Sequence, residues 1–133
     1  LLSTDAAQTF WGALRDQRHA FFQLNADRPE THLWRLSLPS TTPDLPLVSA
    51  SQWIEWSGAL RWVKTDQPAE QIRALAREHG GHATLYQTVQ PEARTRHGAF
   101  TPLSPALMKI HQRLKRELDA QNIFNPGRMF AGL

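Results

Sequence analysis

The sequence predicts a single α+β domain: an antiparallel sheet of about four strands, helices packed on one face of that sheet, and an irregular C-terminal tail. Three observations support this prediction. Segments that alternate between apolar and polar residues are separated by segments with apolar residues at helical spacing. Two aromatic-rich runs flank a Ser-Gly pair, which is typical of a hairpin and therefore of antiparallel pairing. The chain has 133 residues, of which 41% are hydrophobic, enough for one core and too few for two.

The first part of the chain predicts one helix and one strand. Apolar residues at helical spacing predict an amphipathic helix over 3–22, with Ser3 or Thr4 as its N-cap. Residues 32–38 alternate in polarity and predict a strand that stops at Pro39.

A loop and a hairpin follow this strand. Three prolines exclude a helix over 39–46, and a short strand is expected at 47–50. The runs 52–56 and 59–64 predict the two strands of the hairpin, joined by a two-residue turn that contains Gly58.

The next elements are a helix, a strand and a loop. Asp66 is the expected cap of a helix that has Pro68 in its first turn, and the Gly-Gly pair at 80–81 ends that helix. A strand is expected over 82–89, followed by a polar loop over 90–102 to which no period can be assigned.

The last predicted element is a helix over 104–119 that opens with a Ser-Pro pair. Its apolar residues recur every three or four positions and are expected to point inward: Leu107, Ile110, Leu114 and Leu118. Residues 122–130 then form the irregular tail.

Composition and motif spacing argue against several classes of function. The chain has no cysteine, so no disulfide framework or cysteine-based zinc site is expected. The formal net charge is only +3 and the arginines are scattered, so no nucleic-acid partner is expected. No pair of the six histidines has metal-site spacing, so no metal is expected. Neither a GxSxG motif nor a glycine-rich phosphate loop is present, and a mean hydropathy of −0.48 predicts no membrane span. The residues alone therefore predict no self-contained active site.

Two features of the sequence leave a binding role open. The tryptophans of the sheet region can be core residues, or at least one can face a partner or a planar ligand; they are Trp34, Trp53, Trp56 and Trp62. The tail places an amide and a guanidinium close together in Asn125-Pro126-Gly127-Arg128, which can serve a ligand or form an ordinary solvent-facing turn.

The tail also carries a resemblance to a known family. Residues 114–129 resemble the closing segment of the FAD-linked oxidases of the vanillyl-alcohol oxidase type, in which a helix runs into a D-P-x-G-I-x-N-P-G-[KR] pattern. Three further stretches look like the FAD-binding subunits of bacterial glycolate oxidases: 33–39, 56–62 and 80–84. Ala120 departs from the pattern, because it stands where the usual proline would follow the aspartate.

The resemblance implies a ferredoxin-like cap domain, with residues 1–133 as the C-terminal domain of a longer FAD-dependent subunit. The N-terminal domain that holds the FAD pyrophosphate would then be missing, and a chain that starts at Leu1 instead of methionine agrees with that expectation. By the same likeness, the residues expected beside the flavin are Asn125, Pro126, Gly127 and Arg128.

Two other residues are expected in a substrate cleft, Arg61 and His82. The competing interpretation of Arg61 is a cross-strand surface pair, and that of His82 is a buried or capping histidine. No catalytic residue can be assigned, because the lysine and the metal-binding histidines of related dehydrogenases have no counterpart in this sequence.

The reaction implied by the resemblance is the oxidation of glycolate, a 2-hydroxy acid, to glyoxylate. The expected partners are a sister flavin subunit and an iron-sulfur subunit, in a complex that is cytoplasmic or peripheral at the inner membrane. The isolated chain is expected to be inactive. Two alternatives remain at this stage: a non-catalytic subunit-interaction domain of the same complex, or a basic nucleic-acid-binding module.

Overall fold

The computed structural model describes residues 3–47 and 50–133. The regular elements of these residues follow in chain order: α1 (Thr4–Arg15), a 3-10 helix (Ala20–Phe22), β1 (His32–Ser37), β2 (Ser51–Glu55), a second 3-10 helix (Trp56–Gly58), β3 (Leu60–Thr65), α2 (Ala69–Glu78), β4 (His82–Thr88), α3 (Pro91–His97) and α4 (Pro105–Leu118).

The four strands form one antiparallel sheet in the order β2-β3-β1-β4. The connection from β1 to β2 passes β3, and the connection from β3 to β4 passes β1, which is the split arrangement of ferredoxin-like folds. The second connection contains α2, whereas the described residues of the first contain no helix because prolines interrupt it. The predicted α+β class and the hairpin of β2 and β3 are confirmed.

The sheet has apolar side chains on both faces. On the first face, called the α2 face, Trp34 and Leu36 of β1 pack with Ile72 of α2. On the opposite face, called the aromatic face, Leu33 packs with Phe22 of the first 3-10 helix. Helices lie on both faces of the sheet. Residues of α2 and α3 pack on the α2 face, as the prediction of helices on one face expects, whereas Leu14 of α1 packs on the aromatic face.

The predicted helix over 3–22 is divided into two elements. Ser3 caps α1 as expected, because its hydroxyl accepts a hydrogen bond from the amide of Ala6 at 3.3 Å. The helix ends at Arg15, and Gln17 then adopts a φ of 55° in the left-handed region. This turn redirects the chain, so that the following 3-10 helix buries Phe22 against the sheet.

Three other local predictions differ from the structure or fall partly outside the described residues. Asp66 does not cap α2, since Pro68 is the N-cap residue and no side chain caps the helix. The polar loop over 90–102 contains α3, which the sequence conceals because Ala93 is its buried residue and gives no period. The short strand expected at 47–50 falls partly on Val48 and Ser49, which lie outside the described residues.

The helix predicted over 104–119 is present as α4, and Ser104 caps it through a hydrogen bond from Leu107. The prediction that its apolar residues point inward is wrong. The exposed fractions are 47% for Leu107, 52% for Ile110, 51% for Leu114 and 80% for Leu118. The half-buried residues of α4 lie on a different side of the helix, at Met108, His111 and Lys115.

Candidate functional site

The tail residues Asn125, Pro126, Gly127 and Arg128 form an exposed turn. The amide of Arg128 donates to the carbonyl of Asn125 at 3.2 Å, and the φ angles of Asn125 and Gly127 are 46° and 67°. Within the residues that the structure describes, the side chains of Asn125 and Arg128 have no hydrogen-bond or ion-pair partner. Both polar groups are therefore free to meet another molecule.

A buried carboxylate holds this turn in place. Asp119 is 9% exposed, and it accepts hydrogen bonds from the amides of Ile123 at 2.8 Å and Phe124 at 2.9 Å. Lys115 bonds the same carboxylate and the carbonyl of Phe124. The hydrogen bond from Lys115, followed by those from the two amides, lowers the pKa of Asp119 below its ordinary value. The sequence signal for this anchor is a lysine four residues before an aspartate at a helix end.

Arg61 lies inside the molecule and not in a cleft. It is 2% exposed, and its guanidinium donates to the carbonyl of Pro43 at 2.7 Å, to that of Gly58 at 3.3 Å and to that of Thr42. The expectation of a substrate role is corrected by this burial, and a surface pair is excluded as well. Arg61 instead holds the proline-containing loop against the hairpin.

His82 is exposed at the start of β4, where it pairs with Ser37 of β1. Arg61 pairs with Leu36, the preceding residue of β1, so the two predicted cleft residues lie on opposite faces of the sheet. The glycine before His82 is required by space, because a Cβ on Gly81 would lie 2.0 Å from the carbonyl oxygen of Ser37.

Tryptophans line a groove on the aromatic face. The groove has a volume of about 680 Å³ and contains Trp11, Trp53, Trp56 and Trp62. Trp62 donates its indole N–H to Glu55 at 3.1 Å, whereas Trp56 is 79% exposed with a φ of 50°, an unusual conformation for a bulky residue.

The structure separates the tryptophans into buried and exposed residues. Trp34 is fully buried on the α2 face and is a core residue. Trp56 extends into solvent, and so does Trp11, which is 64% exposed and which the sequence analysis missed. No local sequence pattern indicates Trp11, because its place beside the hairpin depends on the packing of α1.

A separate polar cleft of about 510 Å³ lies at the end of the sheet where β1 begins. Two histidines, His32 and His97, line it together with Glu92 and Arg96. The Nδ1 atom of His32 is buried and has no hydrogen-bond partner in the described part of the chain. Burial, and secondarily the proximity of His97, lowers the pKa of His32, so this imidazole is neutral at pH 7.

Two features are absent from the described ranges 3–47 and 50–133. Three metal-ligating side chains come together nowhere in these ranges. None of the helices found there is long and apolar enough to cross a bilayer.

The fold and these surfaces define an α+β domain that presents a polar tail and an aromatic groove to other molecules. The chain is 46% identical over 131 residues to glycolate oxidase subunit GlcE of Escherichia coli (strain K12). This match covers 97% of the chain and 33% of the relative, so the chain spans about a third of that protein's length. The predicted relationship to a glycolate oxidase subunit is thereby confirmed. No protein-family model and no solved structure matches the chain.

Proposed function

We propose that this chain is the C-terminal cap domain of an FAD-dependent glycolate oxidase subunit. The observation that supports the proposal most strongly is the 46% identity to subunit GlcE across nearly the whole chain. The complete subunit would oxidise glycolate to glyoxylate in a complex with a sister flavin subunit and an iron-sulfur subunit. The complex would be cytoplasmic or peripheral at the inner membrane, held there by its partner subunits.

The exposed tail fits contact with one edge of a flavin. Asn125 offers an amide that can donate and accept, and Arg128 offers a planar guanidinium that can bond a carbonyl or a carboxylate. Pro126 and Gly127 fix the turn between them. The FAD pyrophosphate would be held by the part of the subunit that lies outside this chain, because the chain has no glycine-rich phosphate loop.

The chemistry that FAD supplies when bound is acceptance of a hydride from the α-carbon of glycolate, with loss of the hydroxyl proton and formation of glyoxylate. This chain's part in the reaction is binding and orientation. The Arg128 guanidinium would stabilise negative charge next to the reacting atoms, and Asn125 would fix the position of its partner by hydrogen bonding. His82 is the exposed residue proposed for the substrate cleft.

The test is the substitution Arg128→Ala in the complete subunit, with Arg113→Ala, an exposed arginine on α4, as the matched control. We expect Arg128→Ala to weaken FAD binding at least about tenfold and to change the flavin absorption spectrum, since one charge-assisted contact is lost. The control should leave both unchanged. If Arg128→Ala binds FAD with normal affinity and spectrum, the tail has no flavin role.

A second candidate is a subunit-interaction domain without a catalytic part, and the aromatic groove favours it. Trp11 and Trp56 are exposed side chains that line the same groove. Large, rigid aromatic residues of this kind are enriched in protein interfaces. If this candidate is correct, Trp56→Ala prevents assembly of the complex while Arg128→Ala leaves FAD binding intact. Normal assembly of the complex in Trp56→Ala, together with weakened FAD binding in Arg128→Ala, supports the flavin cap.

A further inference from the structure

The two edges of the sheet differ in how far the chain covers them. At the β4 edge, the amide of Leu85 donates to the carbonyl of Ala99 at 2.7 Å, and the amide of Ala83 donates to the hydroxyl of Thr101 at 3.2 Å. The Thr101 hydroxyl in turn donates to the Ala83 carbonyl at 2.8 Å. The segment that follows α3 therefore closes this edge.

The β2 edge is open in the part of the chain that the structure describes. β2 has β3 on one side, and no described strand or loop forms backbone hydrogen bonds with its other side. Along an edge strand of this kind, a row of N–H and C=O groups has no partner within the protein. Such an edge can accept a further strand.

The residues of β2 offer little protection against pairing. Proteins commonly protect open edges with lysine, proline or a bulge. β2 contains no lysine and no proline, and its register with β3 has no shift. Apolar side chains lie at this edge, since Ile54 is 49% exposed and Trp56, directly after the strand, is 79% exposed. An edge with these properties associates with another strand unless something else covers it.

The charge pattern of β2 suits pairing with a second copy of the same strand. In an antiparallel pair centred on Trp53, Glu55 lies opposite Ser51, whose hydroxyl can donate to the carboxylate. Glu55 is the one charged residue of the strand, so no like charges are opposed. Gln52 lies opposite Ile54, and the two Trp53 side chains form a cross-strand aromatic pair. The edge is therefore self-complementary, as a twofold interface requires.

We propose that two copies of this chain pair through their β2 strands, which joins their two four-stranded sheets into one continuous sheet. In this pair the exposed ring of Trp56 lies beside Ala50 of the second copy, where a small side chain leaves room for it.

The pairing is independent of the proposed flavin contact. The tail lies near the opposite edge of the sheet, because Phe130 packs on Phe100 at a centroid distance of 5.9 Å, and Phe100 belongs to the segment that closes the β4 edge. The pairing at β2 therefore leaves the tail turn accessible to other parts of the subunit.

Cysteine cross-linking in the complete subunit tests the register of the pair. Gln52→Cys and Ile54→Cys are made as separate variants and co-expressed, and mass spectrometry identifies the linked peptides after oxidation. Opposed residues of an antiparallel pair have Cα atoms about 4.5–5.5 Å apart, which a disulfide can span. We expect a link between positions 52 and 54 of the two copies, at least about tenfold more abundant than any link in either variant alone. Gln87→Cys, at an exposed position of β4, replaces Gln52→Cys in the control and should give no link.

The mass of the complete subunit, measured by sedimentation equilibrium, is the second test. We expect a dimer that Ile54→Lys weakens at least about tenfold, because it places a charge at the open edge, whereas Gln87→Lys should leave the dimer unchanged. A monomeric subunit, or a dimer that Ile54→Lys leaves intact, would overturn the proposal. A link from position 52 or 54 to a segment outside the 133 residues, or to a different protein, would also overturn it, since another occupant would then cover the edge.

Discussion

The carboxylate of Asp119 accepts a hydrogen bond from the amide of Phe124 at 2.9 Å, and this contact joins the end of α4 to the tail. The exposed Asn125 follows directly after Phe124. The geometry of the tail turn therefore depends on a buried side chain six residues before Asn125. A substitution at Asp119 should change the conformation of the tail although no tail residue is replaced.

Asp119→Asn should loosen the tail. The amide that replaces the carboxylate keeps one acceptor oxygen for the two amides of Ile123 and Phe124 and loses the charge that pairs with Lys115. We expect hydrogen exchange at both amides to become about tenfold faster, as measured by NMR. Asp16→Asn is the control, because the ion-pair partners of Asp16 among the described residues are Arg15 and Arg18, near α1. Unchanged exchange in Asp119→Asn would show that the anchor is unimportant.

His32 should make folding stability depend on pH. Its pKa is lowered in the folded state, so the unfolded chain binds the proton more readily. Above the ordinary pKa of about 6.5 the imidazole is neutral in both states, and the stability that it contributes is fully present. As the pH falls from about 6.5 toward the lower pKa of the folded state, the unfolded chain takes up the proton first, and that stability is lost. Thermal unfolding should therefore show a lower Tm at pH 5 than at pH 7. His32→Asn should reduce this difference, and an equal difference in that variant would assign the effect to other groups.

Gly81→Ala should be strongly destabilising. The added Cβ would lie 2.0 Å from the Ser37 carbonyl oxygen and 2.7 Å from a Leu38 methyl group, so β1 and β4 would have to separate. A loss of about 2–3 kcal/mol in the free energy of unfolding is expected from such overpacking, measured by urea denaturation. The matched control is Gly12→Ala in α1, where no atom lies within 4 Å. The free energy of unfolding of that variant should be about 0.5–1 kcal/mol higher, because alanine has a higher helix propensity than glycine.

Arg61→Leu should destabilise the loop that leads to β2. The substitution removes donors from the carbonyls of Pro43 and Gly58 while leaving those carbonyls in place. We expect a loss of about 3–6 kcal/mol in the free energy of unfolding, since each of the two hydrogen bonds from a charged group contributes about 1.5–3 kcal/mol. In the same urea experiment, a loss below 0.5 kcal/mol would contradict the structural role and reopen the question of a ligand for this arginine.

Trp56 and Trp62 should separate binding from stability. Trp62→Ala removes a buried ring that packs on Phe22 at a centroid distance of 5.4 Å, and should cost about 3–5 kcal/mol of stability. Trp56→Ala removes an exposed ring and should change stability by less than about 0.5 kcal/mol. Binding of a partner subunit, measured by calorimetry, is expected to weaken in Trp56→Ala if the groove is an interface. A large loss of stability in Trp56→Ala would show that its ring supports the fold.

Local patterns predicted the strands and the hairpin well, because alternation and turn residues are encoded within a few positions. The strand 32–38 and the hairpin about Gly58 are both present. The α3 helix escaped prediction since a seven-residue helix with only Ala93 buried has no detectable period. The exposure of Leu114 also could not be predicted, because helical spacing identifies an apolar side and says nothing about whether the same chain covers it.

The residues of the candidate site also differ in how far local sequence patterns predict their positions. The sequence pointed to the tail turn, and the structure places Asn125 and Arg128 on the surface, where a ligand can reach them. Arg61 was misjudged, since an arginine in a strand can face either solvent or loop carbonyls, and its partner at Pro43 is 18 residues away. The contribution of Trp11 to the aromatic groove depends on tertiary packing, and no local sequence pattern indicates it.

The most direct test of the central claim is the flavin content of the purified complete subunit and of the 133-residue chain, measured by visible absorption. The account predicts that the complete subunit is yellow with about one FAD per polypeptide and that the chain alone is colourless. A colourless complete subunit, or a yellow chain, would contradict it.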